Sequence, residues 1–332
     1  MTLHGKRVLV TGGAGFIGSH LVRRLLAEGA KVSVQVKYNS VIDNVRLASI
    51  WRDIEVIEAD LRNPDSLKQV QELAPEIVYH LAAYNHVGDS FLHITEAVDS
   101  NEKGSVNLLE AYEGYDRFVY VSTSEVYGFQ TELPFQEGSM PAPLSPYAIG
   151  KYGGELYARL KWRSFGRPVV IIRPFNAYGP YQSARAVIAE TIITCLQQRE
   201  VITTSATQTR DFNFVENLVD AFLLAGTASG VEGETLNVGS GQEISILDLV
   251  HKIRDLSGSD SSVRVGGLAD RDGEIMRMCA DNAHVRDMLG WTPAVDLDTG
   301  LRQTIDWYRE YLALFESPES PLWRLAVDTT TQ

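Results

Sequence analysis

Cysteine is almost missing: Cys195 and Cys279 are the only two in 332 residues. Two thiols cannot build the disulfide framework of a small secreted domain. A chain of this length must stand on an apolar core, as one large domain or two closely joined ones, with both cysteines reduced. There is no apolar run long enough to span a bilayer and no secretory leader, so the expectation is a cytoplasmic protein that does not enter membranes. Positive charge is in deficit as well. The formal net charge of −13 argues against nucleic acid and acidic membranes as partners, but leaves room for a local basic pocket. No internal repeat is present, and no metal is expected.

What is present begins with glycine. Arg7–Thr11 reads as a short buried strand and residues 19–28 show helical periodicity. Between them stand Gly12, Gly15 and Gly18, spaced G-x-x-G-x-x-G, with Phe16 and Ile17 in the same turn. Between a strand and a helix, such glycines make a tight turn, let backbone approach a pyrophosphate and aim a helix N-terminus at the anion. Further strands are predicted over 31–36, 54–59, 77–81, 118–122 and 169–173. Helices are predicted over 63–73 and 95–112, and from Tyr147 onward. This alternation predicts an α/β fold, a Rossmann-type doubly wound parallel sheet. Beyond it the pattern is less regular. A dinucleotide-binding unit is expected over 1–174, a smaller C-terminal domain over 175–316 with crossing between the two, and a poorly ordered tail over 317–332.

The chain is organised around residues 122–151. Tyr147 and Lys151 close it as S-P-Y-A-I-G-K, four apart and on one face if the segment is helical. An ammonium beside a phenol favours phenolate, so the Tyr147 pKa is expected to fall. Such a phenol can take the proton of a sugar hydroxyl as hydride leaves the same carbon, which requires a nicotinamide. Upstream lies V-S-T-S-E-V-Y-G, with Thr123, Ser124 and Glu125. A carboxylate partly shielded from water has its pKa raised toward general-base work. The second strand lacks the terminal acid with which NAD folds hold the adenosine ribose. Lys37 stands there instead, with Asn39 and Ser40 close by. These residues suit a 2′-phosphate and tilt NAD(P) toward NADP.

With these motifs the chain resembles the extended short-chain dehydrogenase/reductases, the superfamily of nucleotide-sugar epimerases, dehydratases and decarboxylases, from Gly12 to about Tyr308. Its catalytic Y-x-x-x-K is matched by Tyr147 and Lys151. The resemblance implies that Asp60 and Leu61 meet adenine, that Leu81, Ala82 and Ala83 lie along the cofactor, and that Asn101 supports that side. It places a loop from Tyr84 to Ser90 over the sugar, with His86 as a contact. Thr123 would hydrogen-bond the sugar 4-oxygen beside Ser124, and Asn176 would meet the pyrophosphate or sugar. Arg210, with Arg185, Arg271 and Arg277, would form a diphosphate clamp. The implied ligand is a nucleotide-diphosphate sugar, and the resemblance makes the 175–316 domain mainly substrate-binding. The implied assembly is a homodimer through the helix 95–112 and the one from Tyr147, with Leu108, Leu109, Leu156 and Leu160 as candidate contacts that would equally serve an internal core.

Members share the first step, in which Tyr147 takes the 4-hydroxyl proton while C4 gives up hydride. The ketone then acidifies C5–H. The T-S-E triplet resembles that of sugar-nucleotide 4,6-dehydratases, where Glu125 would take the C5 proton. The dTDP-glucose type has Asp in place of Ser124, so here Glu125 or a water would serve the departing 6-hydroxyl. The same triplet also occurs in UDP-glucuronate decarboxylases. The stretch 173–188, K-Y-N-S (37–40) and L-G-W-T-P (289–293) resemble UDP-N-acetylglucosamine 4,6-dehydratases of legionaminic-type pathways, with Tyr181 where those usually have Arg. Three readings stay open. The first is a dehydratase favouring UDP-N-acetylglucosamine. The second is a UDP-glucuronate decarboxylase or 4-epimerase, against which stands the absence of Lys or Arg from 84–90. The third is a dinucleotide-sensing regulator, which would be expected to lack the Tyr/Lys pair.

Overall fold

The computed structural model describes residues 2–37, 45–130, 132–270 and 273–316. Asn39, Ser40, Arg271 and the tail from 317 lie outside the described residues. The first half alternates strand and helix: β1 (Arg7–Thr11), α1 (Phe16–Ala27), β2 (Lys31–Val36), β3 (Glu55–Glu58), α2 (Lys68–Leu73) and β4 (Ile77–His80). Then come α3 (Val87–Ser90), α4 (Ile94–Val98), α5 (Gly104–Ala111), β5 (Arg117–Val121), α6 (Pro146–Phe165) and β6 (Val169–Pro174). Short strands β7 (Asn176–Tyr178), β8 (Val201–Ile202), β9 (Thr209–Arg210) and β10 (Phe212–Phe214) follow, with helices α7 (Val187–Leu196) and α8 (Val215–Thr227). The strand β11 (Thr235–Val238) returns to pair with β6, completing a seven-stranded parallel sheet in the order β11-β6-β5-β4-β1-β2-β3. The order reverses direction between β1 and β4, and the crevice at their C-terminal ends is where such sheets bind ligands.

The sheet is apolar on both faces, as a parallel sheet between helices must be. Val8 and Val10 of β1, with Val119 and Val121 of β5, join Leu21, Leu25, Leu218 and Phe222 on the face covered by α1 and α8. Leu9, Phe118 and Tyr120 point the other way, toward Leu108, Leu109 and Ala158 of α5 and α6. This two-residue alternation fixes the register. It also corrects the dimer candidates: Leu108 and Leu109 face the sheet and are buried, so they are core, whereas Leu156 and Leu160 are exposed. A third core gathers α7, α9 (Ile246–Ser257) and, after the short α10 (Ala283–Leu289), α11 (Leu297–Glu316) away from the sheet. Among the described residues no helix is long and apolar enough to cross a membrane.

Two local departures shape the site. The helix expected over 95–112 contains a π turn at Asp99–Lys103, and π turns gather at functional positions. Asn101 sits in it, with its amide tied to both backbone groups of Tyr84 (2.7 and 3.1 Å) and to the Tyr147 carbonyl (3.3 Å). The segment expected as a loop over 84–90 holds the single turn α3, with His86 at its N-cap accepting the Asp89 N–H at 3.1 Å. Helix α6 starts as its sequence dictates. The Ser145 hydroxyl accepts the Ala148 N–H at 3.1 Å, Pro146 occupies the first turn, and Gly166 closes the other end at φ +63°.

Candidate active site

The glycine turn fits a pyrophosphate. Gly12 adopts φ +67°, and a Cβ there would stand 2.7 Å from the Ala82 nitrogen. A Cβ on Gly18 would stand 2.2 Å from the Gly12 carbonyl oxygen. The turn is therefore as close as backbone allows to the end of β4, where Leu81, Ala82 and Ala83 lie. Gly15 is the N-cap of α1 and offers no side-chain cap, so no side chain from the cap competes for the first N–H groups, at Phe16, Ile17 and Gly18. The Thr11 hydroxyl accepts the Ala82 N–H at 3.2 Å and meets His80 Nδ1 at 2.7 Å. His80 Nε2 meets the Ser105 hydroxyl at 2.9 Å. Sequence reading took His80 only as strand; its signal was a lone polar side chain in a wholly buried run.

At the rim of this crevice Lys37 meets Glu96 at 3.2 Å, and Arg62 approaches the same carboxylate at 3.5 Å. Arg62 also holds the Asp60 carboxylate at 2.6 Å, which keeps Asp60 below its ordinary pKa. Leu61 turns into the core beneath α5. Arg62 was not singled out from the sequence, because only the fold brings it beside Lys37.

The chemical groups converge where β5 ends. The Thr123 side chain caps a short 3₁₀ turn, accepting the Glu125 N–H at 3.2 Å. The Tyr147 phenol lies near enough to the same side chain for Thr123 to pull its pKa down. Burial raises the Glu125 pKa, with Arg210 pulling it down and Glu274 pushing it up. The expected fall in the Tyr147 pKa does not occur. Burial pushes the phenol up to about 12, against the pull of Thr123 and with the Glu125 charge adding to the rise. Burial also brings the Lys151 ammonium down to about 7, with Glu155 opposing. The physical reason is desolvation, which disfavours both charged forms and outweighs the pull of Thr123 on the phenol and of Glu155 on the ammonium.

The other expected contacts divide. Ser124 is buried, with its hydroxyl 3.3 Å from the Met278 sulfur in the cluster under the loop, which also holds Val126, Phe135 and Phe175. Asn176 reaches the same sulfur at 3.6 Å and the Asp211 carbonyl at 3.3 Å. The described arginines each have a carboxylate: Arg210 with Glu274, Arg277 with Glu243, and Arg185 in a two-bond fork to Asp89 at 3.0 and 3.1 Å. Arg185 thus brings to the 84–90 segment the cation that the segment's own sequence lacks. Tyr181, at φ +64°, packs on Trp307 at 4.8 Å beneath the Arg23 guanidinium at 4.9 Å. Its ring is engaged in packing between α1 and α11, and its carbonyl accepts Arg46 Nε at 2.9 Å.

Comparison with known proteins gives a consistent picture. The family described as GDP-mannose 4,6 dehydratase matches residues 9–304. The dTDP-D-glucose 4,6-dehydratase of Mus musculus is 33% identical over 330 residues, covering 96% of this chain and 92% of its own. The UDP-glucose 4-epimerase of Mycolicibacterium smegmatis is 34% identical over 313 residues, covering 91% and 98%. Among solved structures, DesIV, a dTDP-glucose 4,6-dehydratase from Streptomyces venezuelae with NAD and TYD bound, superposes with a TM-score of 0.83 at 34% identity, covering 92% and 97%.

Gly18→Ala tests the glycine turn. Its methyl would collide with the Gly12 carbonyl, so affinity for NADH and NADPH should fall at least ~10-fold, about 1.4 kcal/mol. Fluorescence titration reads it, with circular dichroism to check the fold. Unchanged affinity would place the dinucleotide elsewhere.

Proposed function

The chain belongs to the family described as GDP-mannose 4,6 dehydratase, and on that premise we propose that it is a nicotinamide-dependent nucleotide-hexose 4,6-dehydratase. The observation that carries the reading is Glu125, a carboxylate with a raised pKa beside the Thr123–Tyr147 pair. An epimerase of this family has no use for a base there. A dehydratase needs one at C5.

The glycine turn, Ala82 and Lys151 would hold the dinucleotide, with Lys37 and Arg62 suited to the extra phosphate of NADP. NAD is the alternative, as in the DesIV structure. When bound, the nicotinamide supplies the acceptor for the C4 hydride and its later return to C6. The chain's own residues handle the protons. Thr123 holds the 4-oxygen and Tyr147 takes its proton, with the Lys151 charge beneath supporting the phenolate. Glu125 takes the C5 proton and passes it to the departing 6-hydroxyl, which leaves as water. Ser124, turned to Met278, is not placed for that task. The proton held by Tyr147 then rebalances C5 as hydride reaches C6. The sheet unit (1–174) would carry the dinucleotide and the 175–316 unit mainly the nucleotide sugar, with Arg210 and Asn176 toward the diphosphate.

The motif resemblance favours UDP-N-acetylglucosamine; the named dehydratase relatives point to dTDP-glucose, although Ser124 replaces the Asp of that type. A uronate reading regains some ground from Arg185, which meets the loop over the sugar. We further propose a cytoplasmic homodimer. Ile149, Leu156 and Leu160 lie on one face of α6 and are 50%, 50% and 42% exposed, an apolar stripe that a second copy would cover.

Purified protein with UDP-N-acetylglucosamine, dTDP-glucose, GDP-mannose or UDP-glucuronate, and NAD or NADP, should give a product lighter by one water without net cofactor reduction. An isomer of unchanged mass, or loss of carbon dioxide, would contradict the reading. Glu125→Gln should still accumulate bound reduced nicotinamide at 340 nm but form product roughly 10²–10⁴-fold more slowly. Wild-type activity should fall as pH drops through the raised Glu125 pKa, and the variant should lose that limb. Leu156→Glu with Leu160→Glu should halve the mass seen by light scattering; an unchanged mass would remove α6 from the interface.

A further inference from the structure

Lys151 is a cation in an unfavourable place. It is 2% exposed and lies on the inner face of α6, against β4 and β5. Burying an ammonium this deeply drives its proton off unless something close attracts the charge. The groups around it come from four elements. From β4 comes His80, itself held neutral by burial and by the Lys151 charge. From β5 comes Tyr120. From α6 come Tyr147 and Glu155, the latter gripped by Arg159 at 2.9 Å. From β6 comes Arg173, which forks the Glu155 carboxylate, reaching at 2.6 Å the oxygen that Arg159 holds and at 3.1 Å the other, to which the Ser122 hydroxyl also donates at 2.6 Å. Glu102 of the π turn and Glu125 bear on Tyr120 and Tyr147 respectively.

Tyr120 holds Lys151 twice. Its ring lies 4.7 Å from the ammonium, in cation–π position, and its hydroxyl donates to the Lys151 carbonyl at 2.8 Å. The approach depends on Gly154, where a Cβ would stand 2.4 Å from the Tyr120 oxygen. Tyr120 is fully buried on β5, three residues before Thr123, which follows the end of that strand. One side chain therefore sets the lysine's backbone and its charged end relative to the strand that delivers Thr123 and Glu125. Core packing alone would be satisfied by any large apolar side chain. A π face turned to a buried ammonium is a narrower requirement.

We propose that Tyr120 is a positioning residue for the reaction, its ring face seating the Lys151 ammonium and, with Glu155 one turn further along α6, keeping it charged beside Tyr147. This rests on the role given to Lys151 above, and the test reads the seat without any substrate. The full-length protein is labelled with ¹³C at lysine Cε, the Lys151 resonance is assigned with Lys151→Arg, and its midpoint is followed against pH. Tyr120→Phe, which keeps the ring, should leave the midpoint in place. Fluorinating that phenylalanine weakens the π face at nearly constant size and should lower the midpoint by about half to one pH unit. Tyr120→Leu and Glu155→Gln should lower it as well. If Tyr120→Leu fails to fold, the fluorinated ring still decides. A midpoint that ignores fluorination would overturn the seat and leave Tyr120 as packing. With the substrate in hand, the alkaline limb of turnover should move with the midpoint. A moved midpoint with an unmoved limb would overturn the catalytic half of the proposal while sparing the seat.

Discussion

Desolvation at the C-terminal ends of β4 and β5 is the constraint on which the rest depends. The same water-poor crevice lifts Glu125 and Tyr147 and lowers Lys151. For Lys151 the drop from 10.5 to about 7 is on the order of 5 kcal/mol against the charged form. A crevice with that cost selects its chemistry. It holds a carboxylate ready to accept a proton and a phenol reluctant to lose one. Both conditions suit a site whose remaining positive charge arrives with an oxidised nicotinamide.

The scaffold meets this cost with a buried ionic joint. Glu155 ties α6 to β5 through Ser122 and to β6 through Arg173. Each of those strands ends in the site, β5 one residue before Ser122 and β6 two before Asn176. Removing one partner of such a pair typically costs about 3–5 kcal/mol, because the other charge is left buried alone. The joint therefore both spaces α6 from the two strands beside it and places a negative charge on the lysine side of that helix.

The strands, the glycine turn and the Tyr147/Lys151 pair were legible in the sequence because each is a local pattern. Buried strands read as β-branched runs, the turn as glycines at fixed spacing, the pair as two residues four apart. What escaped was set by tertiary neighbours. The sign of the Tyr147 shift depends on burial, which no spacing encodes. Arg185 reaches Asp89 from 96 positions away, so the charge of the 84–90 segment could not be counted from that segment alone. Ser124 turns to Met278, a partner 154 residues distant. Leu108 and Leu109 look like interface residues in a helix of unknown orientation, and only the sheet beneath them makes them core. Tyr120, Glu155 and Arg62 had no signal of their own, since an aromatic in a strand or a charge on a helix is ordinary until its neighbour is known.

The most direct measurement follows one hydrogen. A nucleotide hexose carrying deuterium at C4 is turned over, and the product is read by NMR. If Thr123, Tyr147 and Glu125 act as described, the label leaves C4 and reappears at C6 of a 4-keto-6-deoxy sugar, with solvent hydrogen at C5. Deuterium returned to C4 of the product, on either face of the ring, would contradict the dehydratase and mean that the hydride goes back to its own carbon, as in an epimerase or a decarboxylase.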